Sequence, residues 1–141
     1  SHGPYKVPEP HNKRFNKGDM LMHNVVEYSD YSIGKFFDTV KKESWYPNTI
    51  FAIIPDHTTE DYYDFYKQKI AHHRLPIILF SANKKLIPQG SSDVLGQQID
   101  IFPTLAYLMG YKQPFRSWGR SLLANLPDET PRAFVTNRFR R

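Results

Sequence analysis

Two short apolar runs constrain the fold of this chain more than any other feature of its sequence. They cover Thr49 to Ile54 and Leu75 to Phe80, with 20 residues between them. Both are rich in β-branched and aromatic residues and are apolar at consecutive positions, as in strands that helices cover on both faces. A strand, a crossover and a second buried strand predict an α/β fold with a parallel sheet.

The composition agrees with a single folded domain. The chain has 141 residues, of which 40% are hydrophobic and 23% charged, which is ordinary for a globular protein. No apolar run reaches the roughly eighteen residues of a membrane span, and the polar amino terminus does not resemble a signal peptide. Cysteine is absent, which excludes disulfides, thiolate catalysis and cysteine zinc sites within these residues.

The net charge of +5 is scattered along the chain and does not form a long basic block. Isolated surface cations are mostly solvated, and the sequence contains no nucleic-acid-binding motif. We therefore predict no nucleic-acid partner.

Two helices are predicted on either side of the strand region. Asp19 stands where an N-cap is expected, and apolar residues recur behind it at steps of three and four as far as Val40, which predicts a helix of about six turns. The second helix begins near Asp100, carries Pro103 in its first turn and ends at Gly110. Residues 1–18 and 81–96 are predicted loops, and Arg132 to Thr136 is a further candidate strand.

Asp56 and His57 follow the first predicted strand directly. In open α/β sheets, ligands bind beyond the carboxyl ends of the strands. A carboxylate oxygen and an imidazole nitrogen together suit Zn²⁺ or Mn²⁺, whereas Ca²⁺ prefers oxygen ligands alone. Two ligands do not make a complete site, so the residues alone allow either half of a metal site or a polar turn.

Other catalytic motifs are missing. The sequence contains neither a G-x-S-x-G nucleophile elbow nor a glycine-rich phosphate loop. The remaining histidines show no metal-binding spacing, and a histidine as close to the terminus as His2 has no assignable role on spacing alone. From its residues, the chain is an α/β domain with a candidate metal half-site.

Six segments in a fixed order resemble the carboxyl-terminal part of a sulfatase-like domain of the alkaline phosphatase superfamily. The resemblance is to the lipoteichoic acid synthase and phosphoglycerol transferase group in particular, and it extends from His2 to about Leu123. The segments are SHGPY, YSDYSIGKFF, NTIFAIIPDH, LPIILFSA, QQIDIFPTLAYLMGY and GRSLL.

The resemblance implies roles for individual residues. Asp56 and His57 match the metal-binding pair of the family, with Mn²⁺ or Zn²⁺ as the expected ion and Mg²⁺ as a further candidate. His2 matches a histidine that hydrogen-bonds the substrate phosphate. Two further matches imply architectural roles only: Asp100, Pro103 and Thr104 of the DI-PT segment, and Tyr28 and Asp30 of the long helix.

The resemblance also implies what the chain lacks. In the family, the nucleophilic Thr, the metal-binding Glu and a membrane anchor precede the segment that residues 1–141 match. The chain is therefore expected to be the carboxyl-terminal portion of a catalytic domain, inactive alone, from an enzyme at the extracytoplasmic face of a bacterial membrane. After Asp56-His57 the chain continues Thr58-Thr59-Glu60, whereas phosphoethanolamine transferases have a Gly-Glu segment at this place. This difference favours the phosphoglycerol transferase branch.

The expected reaction is metal-dependent transfer of phosphoglycerol or another phosphodiester group, with an anionic phospholipid or glycan as substrate. A sulfatase, a phosphodiesterase and a non-catalytic α/β binding module remain alternatives. Because a domain cut in half exposes strand edges and apolar helix faces, the isolated chain is also expected to self-associate.

Overall fold

A computed structural model describes residues 3–58, 63–68 and 70–124 together with residue 133. Its helices are α1, Leu21–Val40, and α2, Ile101–Leu108, and its strands are β1, Phe51–Ile53, and β2, Ile78–Phe80. The chain divides into two units, residues 1–49 and residues 50–141. Helices and strands together confirm the predicted α/β class. Among the described residues, no helix is both long and apolar enough to span a membrane.

The first unit contains α1, whose 20 residues confirm the predicted long helix. Its N-cap is Met20 rather than the predicted Asp19, and Met20 makes no side-chain capping bond. The chain before the helix is instead tied to its first turn by Asn24, whose side-chain oxygen accepts a hydrogen bond from the Gly18 N–H at 2.7 Å. An acceptor within the first turn thus stabilises the helix entry in place of an N-cap side chain.

The amino-terminal loop packs on α1 through Phe15, which is 3% exposed. Its ring centroid lies 5.7 Å from that of Tyr28 and 5.3 Å from that of Tyr31. Val26 and Ile33 belong to the predicted apolar stripe, and each is two residues away from one of these tyrosines. Two residues turn a helix by about 200°, so the tyrosines lie on the face away from Val26 and Ile33. Within the stripe, Val26 is 52% and Ile33 40% exposed, whereas Val40 at the end of the helix is buried.

In the second unit, β1 and β2 pair antiparallel, with Phe51 opposite Phe80 and Ile53 opposite Ile78. The predicted parallel arrangement is wrong. A parallel pair needs a crossover that returns the chain to the starting edge, usually a helix. The described part of the connection instead forms two 3-10 turns, Asp64–Lys67 and Ala71–His73. The strands are also half exposed rather than buried on both faces.

Helix α2 ends as its sequence predicts. Gly110 has a φ of +68°, a left-handed conformation that glycine adopts without steric cost. The Gly110 N–H donates to the Tyr107 carbonyl and the Tyr111 N–H to the Ala106 carbonyl, both at 3.0 Å. These two bonds form a Schellman motif, which satisfies carbonyls that the helix end leaves without partners.

The DI-PT segment joins α2 to the GRSLL segment. The buried Asp100 carboxylate accepts hydrogen bonds from the N–H groups of Gln97 and Arg120, both at 2.8 Å. The Thr104 hydroxyl donates to the Asp100 carbonyl at 2.6 Å and accepts from the Leu122 N–H at 3.0 Å. The DI-PT segment is therefore architectural, as predicted, and Asp100 is the N-cap residue of α2.

The predicted strand from Arg132 to Thr136 lies outside the described residues, apart from Ala133.

Candidate metal-binding site

The chain leaves β1 at Ile53 and reaches Asp56 and His57 three residues later. Because the sheet is antiparallel, the residues that precede β2 lie at this same edge. The two segments line a cleft of about 570 Å³: Asp56, His57 and Thr58 from the segment after β1, and His73 and Arg74 from the segment before β2. A volume of this size is within the range of small-molecule sites.

The side chains of Asp56 and His57 are held toward each other. The Asp56 Oδ1 accepts a hydrogen bond from the His57 backbone N–H at 3.0 Å, and its Oδ2 lies 3.5 Å from the His57 Nε2. The His57 Nδ1 lies 2.6 Å from the Thr58 carbonyl oxygen. Since a carbonyl oxygen only accepts hydrogen bonds, Nδ1 carries the proton in this contact.

The backbone controls the charge of Asp56. The hydrogen bond from the His57 N–H, with the His57 ring as a weaker influence, holds the pKa of the Asp56 carboxyl below its usual value of 3.8. Both mechanisms favour the ionised form. Asp56 is therefore a carboxylate at neutral pH, the form in which it can bind a cation.

The geometry of this pair fits a divalent metal ion. With metal–ligand distances of about 2.0–2.1 Å, ligand atoms 3.5 Å apart subtend about 117° at a shared ion, close to a tetrahedral angle. The hydrogen bond from Nδ1 to the Thr58 carbonyl leaves Nε2 as the nitrogen that can coordinate, an arrangement usual for metal-binding histidines. The side chains of Asp56 and His57 are also 89% and 76% exposed, so an ion can reach them.

Gln98 positions the segment that carries this pair. Its side-chain Nε2 donates to the carbonyl oxygens of Pro55 at 2.9 Å and Asp56 at 2.8 Å. Gln98 belongs to the 3-10 turn Gln98–Asp100 immediately before α2. The bonds therefore connect the base of a helix to the end of a strand, across more than 40 residues of sequence.

The structure leaves the predicted site incomplete. Asp56 and His57 are together, but no group of three or more potential metal-binding side chains occurs in the part of the chain that the structure describes. The predicted phosphate-binding residue His2 lies outside the described residues. The predicted metal pair and His2 therefore stay predictions.

Sequence reasoning missed Gln98, His73 and Arg74. No motif or period identifies Gln98, because its partners lie far away in the sequence. Arg74 directly precedes the second apolar run, so an antiparallel pairing of the two runs would have placed it at the Asp56 edge.

Comparison with known proteins identifies the class. The sequence profile of the sulfatase family matches residues 1–111, more than three quarters of the chain, so the chain belongs to the sulfatase family. This match confirms the predicted sulfatase-like fold.

A curated relative is lipoteichoic acid synthase 1 of Bacillus subtilis (strain 168), which is 25% identical over 148 aligned residues. The alignment covers 92% of this chain but only 23% of the relative, so the chain spans about a quarter of that protein. No solved structure matches the chain significantly.

Proposed function

We propose that this chain supplies half of a divalent-metal site in an enzyme that transfers phosphoglycerol or a related phosphodiester group between cell-envelope lipids or glycans. The observation that carries the proposal is the Asp56–His57 pair, whose ligand atoms lie 3.5 Å apart. Membership of the sulfatase family supports the enzyme class, and the name of the Bacillus subtilis relative supports transfer over hydrolysis.

In this proposal Asp56 and His57 would hold Mn²⁺ or Zn²⁺, with Mg²⁺ as a third candidate. When bound, such an ion activates a hydroxyl nucleophile and neutralises charge on phosphoryl oxygens. The Thr58 carbonyl accepts from the His57 Nδ1 and so leaves Nε2 as the nitrogen that would coordinate, and Gln98 fixes the backbone of Asp56. His2 would hydrogen-bond the phosphate of the substrate.

The remaining parts of the catalytic site would come from outside residues 1–141. We propose that a threonine nucleophile and a glutamate ligand lie elsewhere in the enzyme, as the family resemblance implies. The parent would be anchored in the membrane with this domain at its extracytoplasmic face. The 141-residue chain would then bind metal without catalysing transfer.

A hydrolase is the second candidate, because the family that the chain matches is that of the sulfatases. A sulfatase or phosphodiesterase would use the same Asp56–His57 pair but pass the group to water. The product distinguishes the two activities: transfer yields a new phosphodiester, whereas hydrolysis releases a free acid.

The proposed metal site is tested by thermal unfolding in the presence of Mn²⁺, Zn²⁺ and Mg²⁺. A ligand at 100 times its Kd stabilises a folded protein by about 2.7 kcal/mol, which raises its melting temperature measurably. We expect this rise with Mn²⁺ or Zn²⁺, and its loss in an Asp56→Asn/His57→Ala double variant.

The matched control is Asp19→Asn/His23→Ala, which changes the same residue types outside the cleft. This variant should respond to metal as the unmodified chain does. If both double variants keep the shift, Asp56 and His57 do not form the metal site. If the unmodified chain shows no shift, the same titration on a longer chain that includes the proposed glutamate and threonine decides between a site that needs those residues and no site at Asp56 and His57.

A further inference from the structure

We propose that Arg74 forms an anion subsite and binds a phosphate-type oxyanion in the cleft that Asp56 and His57 also line. The inference deepens the proposed function and rests on it for the role of the metal. The antiparallel pairing of β1 and β2 carries the argument, because it brings the segment before β2 to the edge where Asp56 lies.

Arg74 has the surroundings of a ligand-binding arginine rather than of a structural one. It lines the cleft and is exposed, and none of the three ion pairs among the described residues involves it. Its guanidinium carbon lies 5.8 Å from the centroid of the Phe65 ring. A guanidinium against an aromatic ring keeps N–H donors for a second ligand while the ring restricts its position.

The charges that line the described cleft make anion binding depend on the metal. Among the described residues that line the cleft, Asp56 and Asp93 each contribute a negative charge, and Arg74 is the one arginine or lysine and contributes a positive charge. Without metal, the cleft is therefore net negative and favours a cation. A divalent ion at Asp56 and His57 makes it net positive and favours an anion at Arg74.

The chemistry of arginine selects the class of anion. A planar guanidinium matches two oxygens of a phosphate or phosphodiester at once, which favours such groups over a simple halide. A cleft of about 570 Å³ has room for a glycerol phosphate unit and for a metal ion. Together with the proposed phosphoglycerol transfer, this makes the oxyanion the phosphate of a polyol phosphate, either free or as a lipid headgroup.

The experiment measures glycerol phosphate binding by isothermal titration calorimetry at saturating Mn²⁺. Because a hydrogen bond to a charged group contributes about 1.5–3 kcal/mol, Arg74→Ala should weaken binding roughly 10- to 100-fold. Arg74→Lys, which keeps the charge but loses the planar pair of donors, should give an intermediate affinity. Arg116→Ala removes an exposed arginine that does not line the cleft and should leave the affinity unchanged.

A second arm distinguishes the source of the phosphate. Phosphatidylglycerol vesicles replace glycerol phosphate, and zwitterionic phosphatidylcholine vesicles, which carry no net charge, serve as the reference. Loss of affinity in Arg74→Ala for either probe supports the subsite and identifies its source. Equal affinities of the unmodified chain and Arg74→Ala for both probes, or equal losses in Arg74→Ala and Arg116→Ala, overturn it.

A titration with Mn²⁺ alone separates this inference from the proposed function. If Arg74→Ala binds Mn²⁺ normally but glycerol phosphate weakly, both stand. If Mn²⁺ binds and the loss of Arg74 has no effect on glycerol phosphate or vesicles, only the subsite fails. If Mn²⁺ does not bind but glycerol phosphate binds in an Arg74-dependent way, the metal proposal fails and the subsite stands.

Discussion

At the scale of residues, the candidate site depends on hydrogen bonds that set orientation. The Thr58 carbonyl selects the coordinating nitrogen of His57, and the hydrogen bond from the His57 N–H lowers the pKa of the Asp56 carboxyl. Gln98 then holds the backbone on which Asp56 stands. Each contact acts on the residue that would touch the metal, so their loss should affect metal affinity before overall stability.

Replacement of Gln98 by alanine tests this reasoning. The change removes both bonds to the Pro55 and Asp56 carbonyls, and losses of such supporting contacts typically weaken metal binding by about 10- to 100-fold. Mn²⁺ affinity measured by calorimetry should fall accordingly. Gln89→Ala is the control, because Gln89 also bonds a carbonyl, that of Ile87, but does not line the cleft. Equal Mn²⁺ affinity in both variants would show that Gln98 does not position the site.

Gly119 tests the junction between the DI-PT and GRSLL segments. A Cβ at this position would lie 2.1 Å from the Ile99 carbonyl oxygen and 2.7 Å from the Asp100 Oδ1. Because backbone must move to relieve such an overlap, Gly119→Ala should lower the free energy of unfolding by about 1–3 kcal/mol. Urea unfolding measures the change. Gly3→Ala, where a Cβ meets nothing within 4 Å, should be close to neutral, and equal stabilities of the two variants would refute the close approach.

At the scale of elements, helices were predicted more accurately than the sheet. The apolar period identified α1, and the terminal signals at Asp100 and Gly110 also identified α2, because these patterns depend on residues within one or two turns of each other. β1 and β2 lie within the two predicted apolar runs, but each strand is half as long as its run. The strands pair antiparallel, whereas the prediction was a parallel pair. Strand direction depends on the path of the connection, which has no local signature.

Two glycines in or next to helices should respond to alanine with opposite signs. Gly34 lies inside α1 with open space around it, so Gly34→Ala should stabilise the chain by about 0.5–1 kcal/mol. Gly110 ends α2 with a φ of +68°, so Gly110→Ala should destabilise it by about 1–2 kcal/mol. Thermal unfolding with circular dichroism detects both changes. A shift of the same sign in both variants would contradict the helix assignments.

At the scale of the whole molecule, apolar side chains are exposed in both units. Leu21 of the first unit is 67% exposed, and Ile70, Met109 and Trp118 of the second are 77%, 69% and 98% exposed. The core is correspondingly small: the buried hydrophobic residues among those described are Phe15, Val40, Ala71, Ile87 and Ala106. Large exposed apolar residues favour association with another surface.

We therefore expect the isolated chain to self-associate. Light scattering should show an apparent mass that rises with protein concentration, because association buries apolar surface from water. Trp118→Ser should reduce this rise, whereas Ser117→Ala, next to it on the exposed segment, should not. A monodisperse monomer over the whole concentration range would contradict the prediction.

The sequence by itself determined the features that depend on near neighbours. Residues at most a few positions apart determine three such features: the helical periods, the left-handed C-terminus of α2 at Gly110, and the carboxylate–imidazole pair that follows β1. The order of the six motif segments also sufficed to predict the sulfatase family, which the profile match confirms.

Only the tertiary structure decided which distant residues meet. The antiparallel pairing brings Arg74 to the edge of the sheet that holds Asp56. The side chains of β1, which the sequence predicts to be buried on both faces, are partly exposed in the structure. Gln98 likewise meets Pro55 and Asp56 only in the folded chain, since its bonds span more than 40 residues and follow no period in the sequence. Local patterns act through bonded neighbours, whereas these contacts arise only when the chain folds back on itself.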